Sequence, residues 1–243
     1  MMRIAAPEAT LTSAEPEIYN RLLALDGKHI LELGCGKAEK TRVIATSGAN
    51  RRVTALEVDE IAHRNNLKTN DLSNVEFMLA GAEDIPLADA SVDVVMMFKS
   101  LHHVPMALMD QSMREIARVL KPGGLAYISE PIYAGDFNEI LSIFNNEKEV
   151  RAAAFQAVCK AVDDGLFQLV EQVFFNTPRH YRDFTEFENA TINVTHSEYS
   201  VDADMHEQVR QMFEKHLGDD GVTFLTPVRV DLLQKTPAVS DPS

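Results

Sequence analysis

At 243 residues the chain is long enough for one substantial core and short for two independent domains; 45% hydrophobic and 25% charged residues exclude the disordered class. The net charge is −14, with 14 Lys+Arg against 18 Asp+Glu over residues 1–130 and 9 against 19 over residues 131–243. Such a field repels phosphate backbones and argues against a nucleic-acid or anionic-membrane partner. The two cysteines, Cys35 and Cys159, stand far apart with no CxxC or metal-ligand spacing, so neither a disulfide framework nor a bound metal is expected. The opening residues lack the charged start and apolar block of a secretory signal. No stretch reaches the roughly 18 apolar residues of a membrane span, and a cytoplasmic protein is the expectation.

In chain order, HILELG (29–34) is a strand candidate bounded by DGK and by glycines. AEKTRVIATSG follows as a helix closed by Gly48, RRVTALEV as a second strand, and DEIAHRNNLKTNDL as a second helix with Asp59 as its N-cap. VEFMLAGAEDIP supplies a short third strand, ended by a turn before Pro86. SVDVVMMFKSL, nearly all apolar, is a fourth, of the kind buried on both faces. MDQSMREIARVL is a helix closed by the turn KPGG, and LAYISE is a fifth strand. Repeated strand–helix–strand order implies parallel pairing, right-handed crossovers and an α/β fold built on a doubly wound, mostly parallel sheet.

Residues 139 to about 175 read as helix-rich, with no strand and one internal glycine, Gly165. They are too long for a simple crossover, so the region 134–200 is expected to be a helical insertion after the fifth strand. It would serve either as a lid that selects the acceptor or as the surface of a homodimer. NATINVTHSEYS reads as a further strand and HEQVRQMFEKHLG as a later helix. GVTFLTPVRVDLLQK reads as a long last strand in which Pro227 argues for an edge or a bulge. Residues 201–236 thus close a single domain spanning 1–243. Tyr133, Phe174, His180, Tyr181 and Arg182 have the chemistry to line an acceptor pocket. The acid excess of this half fits a neutral or cationic acceptor, and fits solubility equally well.

The most informative stretch is ILELGCGKA (30–38), a strand that breaks on two glycines. In an open parallel sheet, ligands bind beyond the carboxyl ends of the strands, so this turn faces a site. Dinucleotides favour GxGxxG, with the pyrophosphate on the helix N-terminus. Here the glycines fall at 34 and 36, and Glu39 takes the third place, where its charge repels a diphosphate. S-adenosylmethionine has no phosphate; it carries a sulfonium, an ammonium and a carboxylate, so acids near the turn assist it. A nicotinamide-dependent oxidoreductase remains the alternative.

ELGCGKA resembles the ExGxGxG first motif of class I S-adenosylmethionine-dependent methyltransferases. Ala38 stands at the third glycine, where it is expected to need a conventional φ and to crowd the ligand by one methyl. Glu57, 25 residues after Glu32, ends the second strand in VTALEVDE, where an acid can accept both ribose hydroxyls. GAEDIPLADASVDVV resembles the family's xxDAExLPFxDxSFDxV, which implies Ala82 and Glu83 against the adenine; Gly81 replaces a frequent Asp. REIARVLKPGGLAYISEP resembles the entry to the fifth strand.

The likeness covers roughly residues 28–131. It implies a cofactor-binding set of Glu32, Gly34, Cys35, Gly36, Glu57, Val58, Ala82, Glu83, Phe98 and Lys99, with the last two beside the methionine end. Lys99 would pair with the cofactor carboxylate or turn to solvent. In MMFKSLHHV, His103 is the candidate to take a proton from an attacking hydroxyl or amine. Transfer from a sulfonium is an in-line displacement that needs alignment and exclusion of water, so a dedicated base is optional. The resemblance therefore implies a methyltransferase that moves a methyl group to an O, N or C atom of a small molecule, similar to the branch that modifies quinone precursors. A methyltransferase-like binding module without catalysis is the second alternative, kept open by Ala38, Gly81 and Lys99.

Overall fold

Side-chain alternation along the strands sorts the apolar residues onto the two faces of one sheet. Ile30, Val94, Met96 and Tyr127 fall in one buried cluster, and Leu31, Leu33, Val95, Met97, Ala126 and Ile128 in the other. In the computed structural model, which describes residues 1–193 and 200–237, these strands are β1 (His29–Leu33), β4 (Val92–Phe98) and β5 (Leu120–Pro131). With β2 (Arg52–Glu57), β3 (Val75–Leu79), β6 (Phe167–Tyr181) and β7 (Val222–Lys235) they form a seven-stranded sheet in the order β3-β2-β1-β4-β5-β7-β6. The first five are parallel, with Ile30 opposite both Val53 and Val94. β7 runs antiparallel between β5 and β6.

Helices α4 (Met109–Val119) and α6 (Lys148–Asp163) cover one face through Met113, Ile116, Ala154 and Val158. Helices α1 (Glu15–Leu22) and α2 (Glu39–Thr46) cover the other through Ile18, Tyr19 and Ile44. Burying a large apolar side chain of this kind contributes about 1.5–3 kcal/mol. A third cluster lies where α5 (Asp136–Leu141), α7 (Phe184–Thr191) and α8 (Ala203–Glu214) meet the ends of β6 and β7. It is aromatic, with Phe137, Phe187, Phe213 and Phe224 packed together. Asp59 caps α3 (Glu60–Asn66) as expected: its carboxylate accepts from the backbone N–H groups of Ile61 (2.7 Å) and Ala62 (3.1 Å).

Four local expectations are corrected. The stretch 139–175 is not strand-free: the helix stops at Asp163, and Phe167–Tyr181 is the edge strand of the sheet. Gly165, with φ +76°, is the left-handed residue that terminates α6 rather than a tolerated interior glycine. Beyond it Val173 and Phe175 alternate into the core. KPGG is not a turn between elements but a bulge within β5, because Leu120 pairs with Val92 and Leu125 already with Val94. β7 does not lie at the edge; Pro227 is accommodated where β5 has just ended, its carbonyl accepting from the Ile132 N–H at 2.9 Å. In NATINVTHSEYS, Asn189–Thr191 close α7, while 194–199 lie outside the described residues. Helix α1 had no counterpart in the expectations.

Candidate cofactor and acceptor site

The carboxyl ends of β1, β2, β3 and β4 converge on the glycine turn. Gly34 (φ +76°) and Gly36 (φ +54°) both need the left-handed region, which L side chains rarely adopt. Gly34 also has no space for a side chain, since a Cβ there would lie 2.7 Å from Cβ of Ser100. The Ser100 hydroxyl donates to the Leu33 carbonyl at 2.8 Å, so the Lys99–Ser100 segment leaving β4 sits directly on the turn. Ala38 overturns the expectation of a conventional φ: it takes φ +59°, ψ 23° as the residue before α2. A left-handed alanine costs roughly 1–2 kcal/mol, strain that a third glycine would have avoided.

Glu57 at the end of β2 ties the turn together. One carboxylate oxygen accepts from the Gly36 N–H at 2.5 Å, and the other accepts from the Val58 and Asp59 N–H groups at 2.9 Å each. The Asn66 amide donates to the Gly36 carbonyl at 2.8 Å. Glu32 is 1% exposed and accepts from the Thr41 hydroxyl at 2.6 Å. Burial pushes its carboxyl up to about 7, against the opposing pull of the Thr41 hydrogen bond and the Lys40 charge. Burial likewise pushes the Cys35 thiol upward, with Glu32 and Glu57 adding to the effect, so that cysteine is not a nucleophile.

Beyond β3, the Ala80 N–H donates to the Glu57 carbonyl (3.2 Å), which sets Gly81, Ala82 and Glu83 beside the turn. The Glu83 carboxylate folds over Gly81, so a Cβ there would have to displace this mobile end of the Glu83 side chain. Ala82 is buried. Val58, by contrast, is 66% exposed. Phe98 packs in a triad with Tyr19 and Tyr127, and Lys40 lies over its ring at 5.5 Å.

Lys99 takes φ +56°, a strained conformation for a residue with a side chain. It lines a cavity of about 260 Å³ walled by the loop after β4, the end of β5, α5, α6 and parts of β6 and β7. Burial pushes the Lys99 ammonium down to about 8, with the Arg179 charge adding to the effect. His102 and His103 both line this space. Their roles are unequal: His102 is 4% exposed and its Nδ1 lies 2.6 Å from a Glu130 oxygen, whereas His103 is exposed. Glu130 also accepts from the Leu101 N–H at 3.0 Å. Glu147, 3.9 Å from His102 Nε2, is held by Arg151 and by the Asn145 amide (2.9 Å). Ligand atoms of His102, His103 and Glu147 lie within 4.8 Å of one another, but a cation there would compete with the Arg151 guanidinium.

Glu130, Glu147, Arg151 and Arg179 were missed in the sequence, and only Glu130, at a strand's carboxyl end, carried a positional signal. None of Tyr133, Phe174, His180, Tyr181 and Arg182 lines the cavity. Tyr181 packs in the aromatic cluster, His180 faces Thr223, and Arg182 pairs with Glu186.

Residues 31–128 match a family described as "Methyltransferase domain". This segment resembles a methyltransferase domain, and it contains every residue of the turn described above. The domain is 34% identical over 131 residues to methyltransferase GfsG of Streptomyces halstedii, a match covering 51% of this chain and 45% of that protein. It is 35% identical over 124 residues to 27-O-demethylrifamycin SV methyltransferase of Amycolatopsis mediterranei, covering 48% and 44%. The matches therefore span less than half the length of these relatives. In three dimensions the chain is similar to the YcgJ protein of Bacillus subtilis (TM-score 0.60, 17% identity, 92% of this chain and 97% of that one). It is also similar to the [4+2]-cyclase SpnF (TM-score 0.59, 17% identity, 92% and 80%). A cyclase on the same architecture shows that this fold does not by itself fix a reaction.

Proposed function

We propose that this chain transfers the methyl group of S-adenosylmethionine to an O, N or C atom of a small molecule seated in the cavity beside Lys99. The observation that carries the reading is the acidity of the glycine turn. Glu32 in β1 and Glu57 at the end of β2 flank it, both buried, with Glu57 already gripping the Gly36 N–H that a diphosphate would need. A sulfonium and an ammonium are welcome there; two phosphates are not. Glu57 retains lone pairs for ribose hydroxyls, Ala82 and Glu83 stand beside it for the adenine, and Phe98 and Lys99 mark the methionine end. The names of relatives that act on demethylrifamycin SV and on fatty acids support a small-molecule acceptor.

The region 134–200 supplies Phe137, Asn138, Leu141, Glu147, Arg151 and Arg179 to the cavity, which supports its role as acceptor selector rather than dimer surface. His103, at the exposed rim, is the candidate proton acceptor, and the Glu130–His102 pair positions its loop. Calorimetric titration with S-adenosylhomocysteine and with NADH tests the reading: S-adenosylhomocysteine should bind and NADH should not. Tight NADH binding alone would restore the oxidoreductase alternative. Cofactor binding without transfer of labelled methyl to any fraction of a cell extract would favour the silent module.

A further inference from the structure

We infer that the acceptor is an amphiphile bearing one carboxylate, and that Lys99 and Arg179 recognise that anion at the cationic pole of the cavity. The inference rests on the methyltransferase reading and names the substrate class of the same site. Among the described residues that line the space, Lys99, Arg151 and Arg179 stand against one acid, Glu147, a local excess of positive charge in a chain of net charge −14. Arg151 is accounted for by Glu147 and by the Asn138 side-chain oxygen at 2.9 Å. Among the described residues, no ion pair reaches Lys99 or Arg179. Arg179 is instead held by the face of Phe137, 4.9 Å from guanidinium carbon to ring centroid, which fixes its plane while leaving its N–H fork open.

Burial disfavours the Lys99 ammonium and the nearby Arg179 and Lys40 charges add to the effect, against the pull of Glu15 and Glu130; an anion held between Lys99 and Arg179 would relieve that conflict. The lining also includes the apolar Ile132, Leu141, Phe137 and Val228, with Phe137 lying directly against the Arg179 guanidinium. An apolar body with one oxyanion matches that combination. The acidity of the second half of the chain is therefore no guide to the acceptor, because the local lining runs against it.

The cofactor has a carboxylate of its own, and Lys99, where the turn meets the cavity, is within the chain segment that serves both ligands; Arg179, on the edge strand β6, serves the acceptor anion alone. The test measures both ligands. With the site saturated in S-adenosylhomocysteine, octanoate, phenylacetate and cinnamate are titrated calorimetrically alongside their primary amides, with octyl phosphate as a further arm. At least one acid should bind roughly tenfold or more tightly than its amide and more tightly than the phosphate. Arg179→Gln should remove that preference while leaving S-adenosylhomocysteine affinity unchanged, and Lys99→Met should reduce it.

Amides that bind as well as every acid, or a preference that survives Arg179→Gln, would overturn the inference, and so would preference for the phosphate. Failure of S-adenosylhomocysteine to bind at all would instead strike the methyltransferase reading itself, so the two failures are distinguishable.

Discussion

Glu32→Gln separates what the turn needs for folding from what it needs for its ligand. The carboxyl is fully buried and its pKa is raised from 4.5 to about 7, so the folded chain holds a proton that the unfolded chain has lost between those values. Stability must then fall as pH rises through this window, because the unfolded state binds fewer protons than the native one. A shift of this size corresponds to about 3 kcal/mol by pH 8. The glutamine carries no charge to bury, and its side-chain oxygen can still accept the Thr41 hydroxyl hydrogen bond. Near pH 4.5 the variant and the parent should therefore unfold at similar urea concentrations. By pH 8 the variant should be about 3 kcal/mol more stable, roughly 6–12 °C in Tm for a chain of this length. S-adenosylhomocysteine affinity should move the other way, because the turn has lost a charge that favours an ammonium. Stability curves that run parallel from pH 4.5 to 8 would refute the reasoning.

Glu57→Ala removes the acceptor of three backbone N–H groups; S-adenosylhomocysteine affinity by calorimetry should fall by about 1–3 kcal/mol, with a lower Tm. Unchanged affinity would remove Glu57 from the cofactor site. Gly34→Ala meets Ser100 Cβ at 2.7 Å in a left-handed backbone, so urea unfolding should register a loss of more than about 2 kcal/mol. Ala38→Gly releases left-handed strain but adds unfolded-state entropy, and denaturation should find it within about 1 kcal/mol of the parent. Arg229→Met leaves the Asp231 carboxylate buried without its 2.7 Å partner; a loss of about 3–5 kcal/mol is expected in chemical denaturation, and a neutral outcome would mean that Asp231 is protonated in the variant.

The sheet was legible because each of its first five strands carries an apolar run between punctuating residues, and because Asp59 caps where an N-cap belongs. β6 escaped notice because the alanine-rich α6 runs into it with a single glycine between them, and Gly165 looks the same in sequence whether it interrupts a helix or ends one. The turn was legible in composition but not in conformation: nothing in ELGCGKA announces that Ala38 will hold a left-handed φ. The cavity was least legible. Its cations, Arg151 and Arg179, are contributed by α6 and β6, and meet Lys99 only through long-range packing that no local pattern encodes. Of the aromatic residues with the chemistry for a pocket, Tyr181 is used by the cluster around Phe187 and Phe213 instead, while Phe174 packs under Arg3.

The position of β7 has a consequence for biosynthesis. β7 follows both β5 and β6 in the chain yet sits between them, so neither of those strands can be paired on that side until residues 222–235 have emerged. A nascent chain stalled before them would present residues 125–131 of β5 as an open edge, a template for aggregation. It would also lack the cavity wall formed by Thr226, Pro227 and Val228, so the chamber comes into being only once those residues have joined the sheet.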